Sequence, residues 1–156
     1  MKILSKGYTI YEDLAYEYML ITRFSVQDLP TYGREAIMDR SALVLLARLE
    51  AQGPMSVNEL AEAFGLNSST VHRQVKAAMG HGLIELVDDV PGASAKLHRP
   101  TAEGLEKLHA ELAARSEGHA KVIADWPEEE IKTYVRLLKK YNESLEEKLG
   151  QPWPRI

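Results

Sequence analysis

Apolar residues recur every three or four positions along four stretches of the chain, a spacing that predicts long amphipathic helices. The stretches cover residues 8–26, 34–51, 101–125 and 128–149. Between the second and the third, the pattern predicts two shorter helices within residues 56–79, followed by short runs of strand type. The predicted fold is therefore mainly α, with a small β element in the middle of the chain.

The two short helices carry the start and stop signals of a helix-turn-helix. Ser56 followed by Glu59 fits a capping box at the start of the first helix. Gly65 stands where the turn requires a positive φ, and Asn67 is placed to cap the second helix. In a helix-turn-helix, the second helix enters the major groove of DNA.

The second helix divides into an apolar and a polar face. Val71, Val75 and Ala78 fall at helical spacing and are expected to pack inward. The residues left for the outer face are Ser68, Ser69, Thr70, His72, Arg73 and Lys76. Short hydroxyls and basic groups near a helix N-terminus suit phosphate oxygens and base edges, so this set is predicted to bind DNA. The alternative is an ordinary helical hairpin with a solvated polar face.

A β-hairpin is predicted after the second helix. Leu83–Val87 is a short apolar run, Asp88–Ser94 is rich in turn formers, and Lys96–Arg99 is expected to return as a second strand. A helix-turn-helix followed by a small hairpin is a winged helix. Lys96, His98 and Arg99 are the basic groups near the hairpin, and they complete the set of candidate DNA contacts.

With these features the chain resembles the MarR family of bacterial transcriptional regulators from Ser41 to Leu108. The resemblance rests on GPMSVNELA at the first short helix, SSTVHR in the second, the GLIE strand, and Thr101-x-x-Gly104. It implies a homodimer that binds a pseudo-palindromic operator in double-stranded DNA and is released by a small molecule or an oxidant. Residues 34–100 would form the winged DNA-binding lobe, and residues 1–33 and 101–156 a helical dimerisation region.

The wing departs from the family pattern. Many members carry basic residues after the first wing strand and an arginine near the tip. Here Asp88 and Asp89 follow the strand, and the tip position falls on Gly92, Ala93 and Ser94. The wing tip is therefore predicted to add little to DNA affinity.

The outer helices predict a dimer interface. An apolar seam in the last helix comprises Ile131, Tyr134, Val135, Leu138, Tyr141, Leu145 and Leu149. A lobe of this size cannot bury the seam, so we expect the first and last helices of two chains to pack together; folding back onto the chain's own lobe is the alternative. Tyrosines cluster near the N-terminus at Tyr8, Tyr11, Tyr16, Tyr18 and Tyr32. Core and interface packing is their favoured role, and lining a pocket for a small aromatic effector is the alternative.

Composition narrows the function further. The 156 residues carry a formal charge of −4, and residues 55–100 hold four Lys or Arg against five Asp or Glu, which argues against a general nucleic-acid coating role. The chain has no cysteine, so it forms no disulfides and senses no oxidant through thiols. The sequence shows neither a membrane-spanning apolar run nor a signal-peptide layout, so a cytoplasmic location is expected.

No spacing of residues points to a catalytic, cofactor or metal site. The sequence is therefore interpreted as a DNA-binding transcriptional regulator and not an enzyme. Repression with release by a small molecule is the favoured mode. The alternative function is a winged-helix protein-interaction module that has lost operator binding.

Overall fold

A computed structural model describes residues 9–24, 35–88, 91–92 and 94–155. Six helices and two short strands make up this part of the chain, which confirms a mainly helical fold with a small sheet. The elements are α1 (Ile10–Thr22), α2 (Arg40–Gln52), α3 (Val57–Phe64), α4 (Ser68–Gly80), β1 (Ile84–Leu86), β2 (His98–Pro100), α5 (Ala102–Val122) and α6 (Glu128–Leu149).

The helix-turn-helix forms as its capping signals predict. Ser56 accepts a hydrogen bond from the backbone N–H of Glu59, and the Glu59 carboxylate accepts one in return from the N–H of Ser56. Gly65 ends α3 in the left-handed region, with φ of 61°. Asn67 occupies the N-cap position of α4, but its side chain makes no capping hydrogen bond, which corrects that part of the prediction.

Helix α2 forms the centre of the core. Leu45, Leu46 and Leu49 are fully buried, as the all-round apolar pattern predicted. The predicted start at residue 34 is wrong, because the helix begins at Arg40, where the Asp39 side chain accepts a hydrogen bond from the N–H of Ala42. A local capping carboxylate therefore sets this boundary more strongly than the apolar spacing does.

A buried ion pair holds the segment before α2 against α5. Arg115 Nε donates to Glu111 Oε1 at 2.7 Å, and the two side chains are 9% and 0% exposed. The backbone N–H of Ile37 donates to the second Glu111 oxygen at 3.0 Å. Sequence reasoning did not find this pair, because its spacing is also that of an ordinary surface ion pair on a helix.

The wing is a two-stranded antiparallel hairpin in which Ile84 pairs with Pro100, and Leu86 pairs with His98. Each strand has three residues, fewer than the predicted 83–87 and 96–99. Lys96 lies before β2 rather than within it. An isolated bridge joins His98 to Met55, so the hairpin is bound to the segment just before α3.

The Thr101-x-x-Gly104 sequence joins α5 to the wing. The Thr101 hydroxyl accepts from the N–H of Gly104 at 2.9 Å and donates to the Gly82 carbonyl at 2.6 Å. A Cβ on Gly104 would lie 2.1 Å from the Leu83 carbonyl oxygen, so glycine permits the close approach of α5. Helix α5 ends at Val122, three residues before the predicted end, and continues through Gly118, which is buried.

The outer helices leave apolar faces uncovered in the single chain. Helix α1 is shorter than the predicted 8–26, because Thr9 and Glu12 form a capping box at its start. Ile10, Tyr11 and Leu14 on α1 are exposed, and so are most of the seam residues of α6. Tyr16 and Tyr18 are exposed as well, so the described tyrosines of the N-terminal cluster do not pack in the core of one chain. Tyr8, Tyr32 and the predicted connector 28–33 lie outside the described residues.

Candidate nucleic-acid interface

Helix α4 presents a polar face on an apolar base. Val71, Val75 and Ala78 are buried against the core, as predicted. The exposed residues of the predicted set are Ser68, Ser69, His72, Arg73 and Lys76. Thr70 is half-buried, on the side of α4 that faces α2. The sequence thus identified both faces of the helix, because the periodicity of its apolar residues fixes their orientation.

The N-terminus of α4 is exposed at Ser68 and Ser69. The Asn67 side chain does not cap it, and the Asn67 carbonyl accepts from the N–H groups of Thr70 and Val71. The positive end of the helix dipole and two short hydroxyls therefore face outward, an arrangement that favours an anion such as a phosphate.

A cleft of about 490 Å³ separates α4 from the wing. His72 and Lys76 line it from the helix, and Lys96 lines it from the segment before β2. Asn58, at the start of α3, faces the same cleft and was missed by the sequence reasoning. Asn58 lies at an exposed position in the first turn of α3, and this position was the signal from which the sequence could have identified it. The cleft brings three basic side chains from two separate segments to one surface.

His98 also lines this cleft, but it is buried. Only 7% of the residue is exposed, so it offers DNA far less surface than His72, Lys76 and Lys96 do. Burial lowers the pKa of the His98 ring, and nearby His72 and Lys96 lower that pKa further, although the Met55 backbone opposes them. The His98 backbone joins the wing to the lobe through its two hydrogen bonds with Met55, and a DNA contact of the His98 side chain stays a prediction.

Arg99 is held along the sheet by its cross-strand neighbour. Its Nε donates to Glu85 Oε1 at 3.0 Å, and both side chains are about half exposed. The pairing Glu85–Arg99 is also a register pair of β1 and β2. An exposed ion pair contributes little to stability, but it compensates the charge that Arg99 would offer to a phosphate.

The wing tip is described in part. Gly92 has φ of 85°, and Ser94 is exposed. Asp89, Val90 and Ala93 lie outside the described residues, and so does that part of the wing-tip prediction. Asp88 is exposed at the end of β1, where its carboxylate would oppose a phosphate backbone.

Comparison with known proteins gives the family. An uncharacterized HTH-type transcriptional regulator, YxaD of Bacillus subtilis (strain 168), is 30% identical over 133 residues, which are 85% of this chain and 93% of the relative. A family model described as HVO_A0114 matches residues 37–103. The chain belongs to the MarR family of winged-helix transcriptional regulators.

Solved structures agree in fold. A MarR family protein from Bacillus stearothermophilus superposes with a TM-score of 0.68 at 24% identity, covering 88% of this chain and 99% of that one. The PcaV transcriptional regulator from Streptomyces coelicolor, solved in complex with its natural ligand, gives a TM-score of 0.61 at 20% identity, covering 88% and 95%. This MarR-family chain is a helix-turn-helix transcriptional regulator. No helix within the described part of the chain is both long and apolar enough to cross a membrane.

Proposed function

We propose that this regulator is a homodimer that binds a pseudo-palindromic operator in double-stranded DNA, with α4 of each chain in the major groove. The observation that carries the proposal is the exposed polar face of α4, which stands on the buried residues Val71, Val75 and Ala78. A helix fixed on one side and polar on the other can enter a groove without rearranging the core.

Each candidate residue has a proposed role that follows from its position. Ser68, Ser69 and Thr70 contact phosphate or base edges at the N-terminus of α4. Arg73 reads a guanine, because a guanidinium matches the two major-groove acceptors of that base. The cleft residues His72, Lys76 and Lys96 contact the phosphate backbone, while Arg99 contributes less because Glu85 neutralises it.

The exposed apolar faces of α1 and α6 support the homodimer. Leu138 is 45% exposed and Leu145 is 38% exposed in the single chain, although both belong to one continuous seam. Tyr18 of α1 contacts Tyr141 of α6, with ring centroids 6.4 Å apart, so the apolar residues of the two helices meet at this point. A second copy would remove this surface from water.

We propose that the protein represses transcription and that binding of a small molecule relieves this repression. A groove of about 900 Å³ lies between the lobe and α6 and offers space for such an effector. It is lined by Phe64, Gln74, Asn142 and Trp153, among others, so it combines aromatic and amide groups. Gln74 lies on α4, and an occupant of the groove would therefore contact the recognition helix itself.

Fluorescence anisotropy with labelled duplexes from the DNA flanking the protein's own gene tests the proposal. We expect binding to one such duplex to exceed binding to a scrambled duplex of equal length and composition by about 10³ or more at physiological salt. Equal binding to both duplexes, or none, would favour a winged-helix interaction module that no longer recognises an operator.

A further inference from the structure

Residues 151–155 turn back after α6 and lie against the helix-turn-helix. Gly150 ends α6 in the left-handed region, with φ of 65°, and the N–H of Gln151 donates to the Glu146 carbonyl at 2.9 Å. This reversal directs the five residues, which we call the strap, away from the helix axis. Its sequence is Gln151-Pro152-Trp153-Pro154-Arg155, and each proline restricts the backbone to an extended course.

The strap is fixed to the end of α6 at Glu146. The Glu146 carboxylate accepts from the backbone N–H of Trp153 at 3.2 Å. It also forms an ion pair with Arg155, whose Nη1 donates to it at 2.8 Å. The Arg155 guanidinium lowers the pKa of the Glu146 carboxyl, so this carboxyl stays ionised at neutral pH. The strap is therefore attached to the last turns of α6.

At its other side the strap contacts three parts of the lobe. Arg48 of α2 donates through Nη1 to the Pro152 carbonyl at 2.8 Å, and its guanidinium lies 5.1 Å from the centre of the Trp153 ring. Phe64, the last residue of α3, stacks on the same ring with centroids 6.3 Å apart. Gln151 covers Gly65, since a Cβ on that glycine would lie 2.1 Å from the Gln151 amide nitrogen.

Arg48 is held almost entirely by the strap and its own helix. It is 6% exposed, and its remaining hydrogen bonds go to Gln52 at 2.9 and 2.7 Å. Burial lowers the pKa of the guanidinium, and Glu146 opposes this effect at a distance. The docked strap therefore supplies this guanidinium with a carbonyl acceptor and an aromatic face, which favours the docked position.

We infer that the strap couples the dimer helix α6 to the turn that leads into the recognition helix, and so fixes the spacing of the two recognition helices. Its three contacts lie on α2, on the end of α3 and on the turn at Gly65, immediately before α4. The coupling rests on the proposed homodimer, whereas the docking of the strap does not.

Tryptophan fluorescence tests the docking. The chain has two tryptophans, so Trp126→Phe leaves Trp153 as the single tryptophan, which is excited selectively over the tyrosines. The chain has two phenylalanines, and Phe24→Ala is the matched control for Phe64→Ala. Phe24 contacts Arg23 and is 44% exposed, far in the sequence from the strap. In the Trp126→Phe background, we expect Phe64→Ala to shift Trp153 emission to the red and to raise its acrylamide quenching about two-fold, as local opening exposes the ring.

Two results would overturn the docking. In the first, acrylamide quenches Trp153 fluorescence in the folded Trp126→Phe protein as strongly as in the urea-unfolded chain. The other is an equal response to Phe24→Ala and Phe64→Ala. Circular dichroism of each variant separates strap release from general unfolding, and Arg48→Lys, which keeps the charge but loses the paired hydrogen bonds, provides a second and milder release.

The coupling is tested by distances between two spin labels. Because the chain has no cysteine, Glu62→Cys on the exposed side of α3 places one label on each protomer. We expect a narrow distance distribution that broadens on Trp153→Ala and stays narrow on Trp126→Phe. An unchanged distribution in the Trp153→Ala protein would refute the coupling. Absence of any inter-label distance would show that the homodimer is wrong, while the fluorescence experiment would still decide the docking.

Discussion

Arg73 carries the sharpest residue-scale prediction for DNA reading. Its side chain is exposed on α4, one turn before Lys76, and lines the groove between α4 and α2. If it reads a guanine, Arg73→Ala should cost about 1–3 kcal/mol in operator binding and relax preference at one base of each half-site. Anisotropy with duplexes that vary one base at a time measures both effects.

Arg136→Ala is the matched control for Arg73→Ala, because Arg136 is exposed on α6, on the opposite face from Leu138. It should leave binding and base preference unchanged. A uniform loss of affinity across all duplexes on Arg73→Ala would assign Arg73 to a phosphate, and no loss would remove it from the interface.

His98 carries a pH prediction at the same scale. Its pKa is lowered in the folded protein, chiefly by burial, so between that value and about 6.5 the unfolded chain binds more protons. The free energy of unfolding should therefore fall as the pH drops below about 6.5. His98→Gln should weaken this pH dependence in urea titrations, whereas His119→Gln, at an exposed position on α5, should retain it. A His98→Gln protein with the wild-type pH profile would contradict the assignment.

At the scale of elements, the contact between α5 and the wing depends on a single glycine. Gly104→Ala would place a Cβ 2.1 Å from the Leu83 carbonyl oxygen, so α5 must move and the free energy of unfolding should fall by about 1–3 kcal/mol. Gly80→Ala is the control, because a Cβ at the end of α4 meets nothing within 4 Å and should stabilise by up to about 1 kcal/mol. Thermal unfolding of both variants measures the difference, and equal stabilities would refute the close approach.

The wing provides the second prediction at this scale, because its basic residues Lys96 and Arg99 differ in their surroundings. Lys96 is exposed and lines the cleft, whereas Arg99 shares its charge with Glu85. Lys96→Ala should reduce the slope of log affinity against log salt by about one, since one phosphate contact is lost. Lys107→Ala, which removes an α5 lysine paired with Glu103, should leave the slope unchanged. The opposite ranking would move the wing contact away from the cleft.

For the whole molecule, the exposed seam of α6 predicts the assembly. The protein should have about twice its chain mass of 17.5 kDa in light scattering, with recognition helices about 34 Å apart. Leu138→Asp should give monomers or insoluble chain, because it places a charge in the seam. Arg136→Asp on the opposite face should remain dimeric. A wild-type monomer at micromolar concentration would contradict the homodimer.

The amino-acid sequence determined the features that depend on neighbours within a turn or two. The capping box at Ser56, the positive φ at Gly65 and the buried face of α4 follow from local hydrogen bonding and from helical period, so they were predicted correctly. Element ends were less well predicted at α2 and β2, because Asp39 capping and the pairing with β1 decide them.

Only the tertiary structure decided which side chains from distant segments meet. It buried His98 beside Met55, paired Glu85 with Arg99, and placed Trp153 between Arg48 and Phe64, about 90 to 105 residues away along the chain. Periodicity orients a side chain about its own helix or strand, but it gives no information about what another element brings to that side. Burial, charge compensation and strap docking all depend on contacts between distant segments, and these contacts form only in the folded chain.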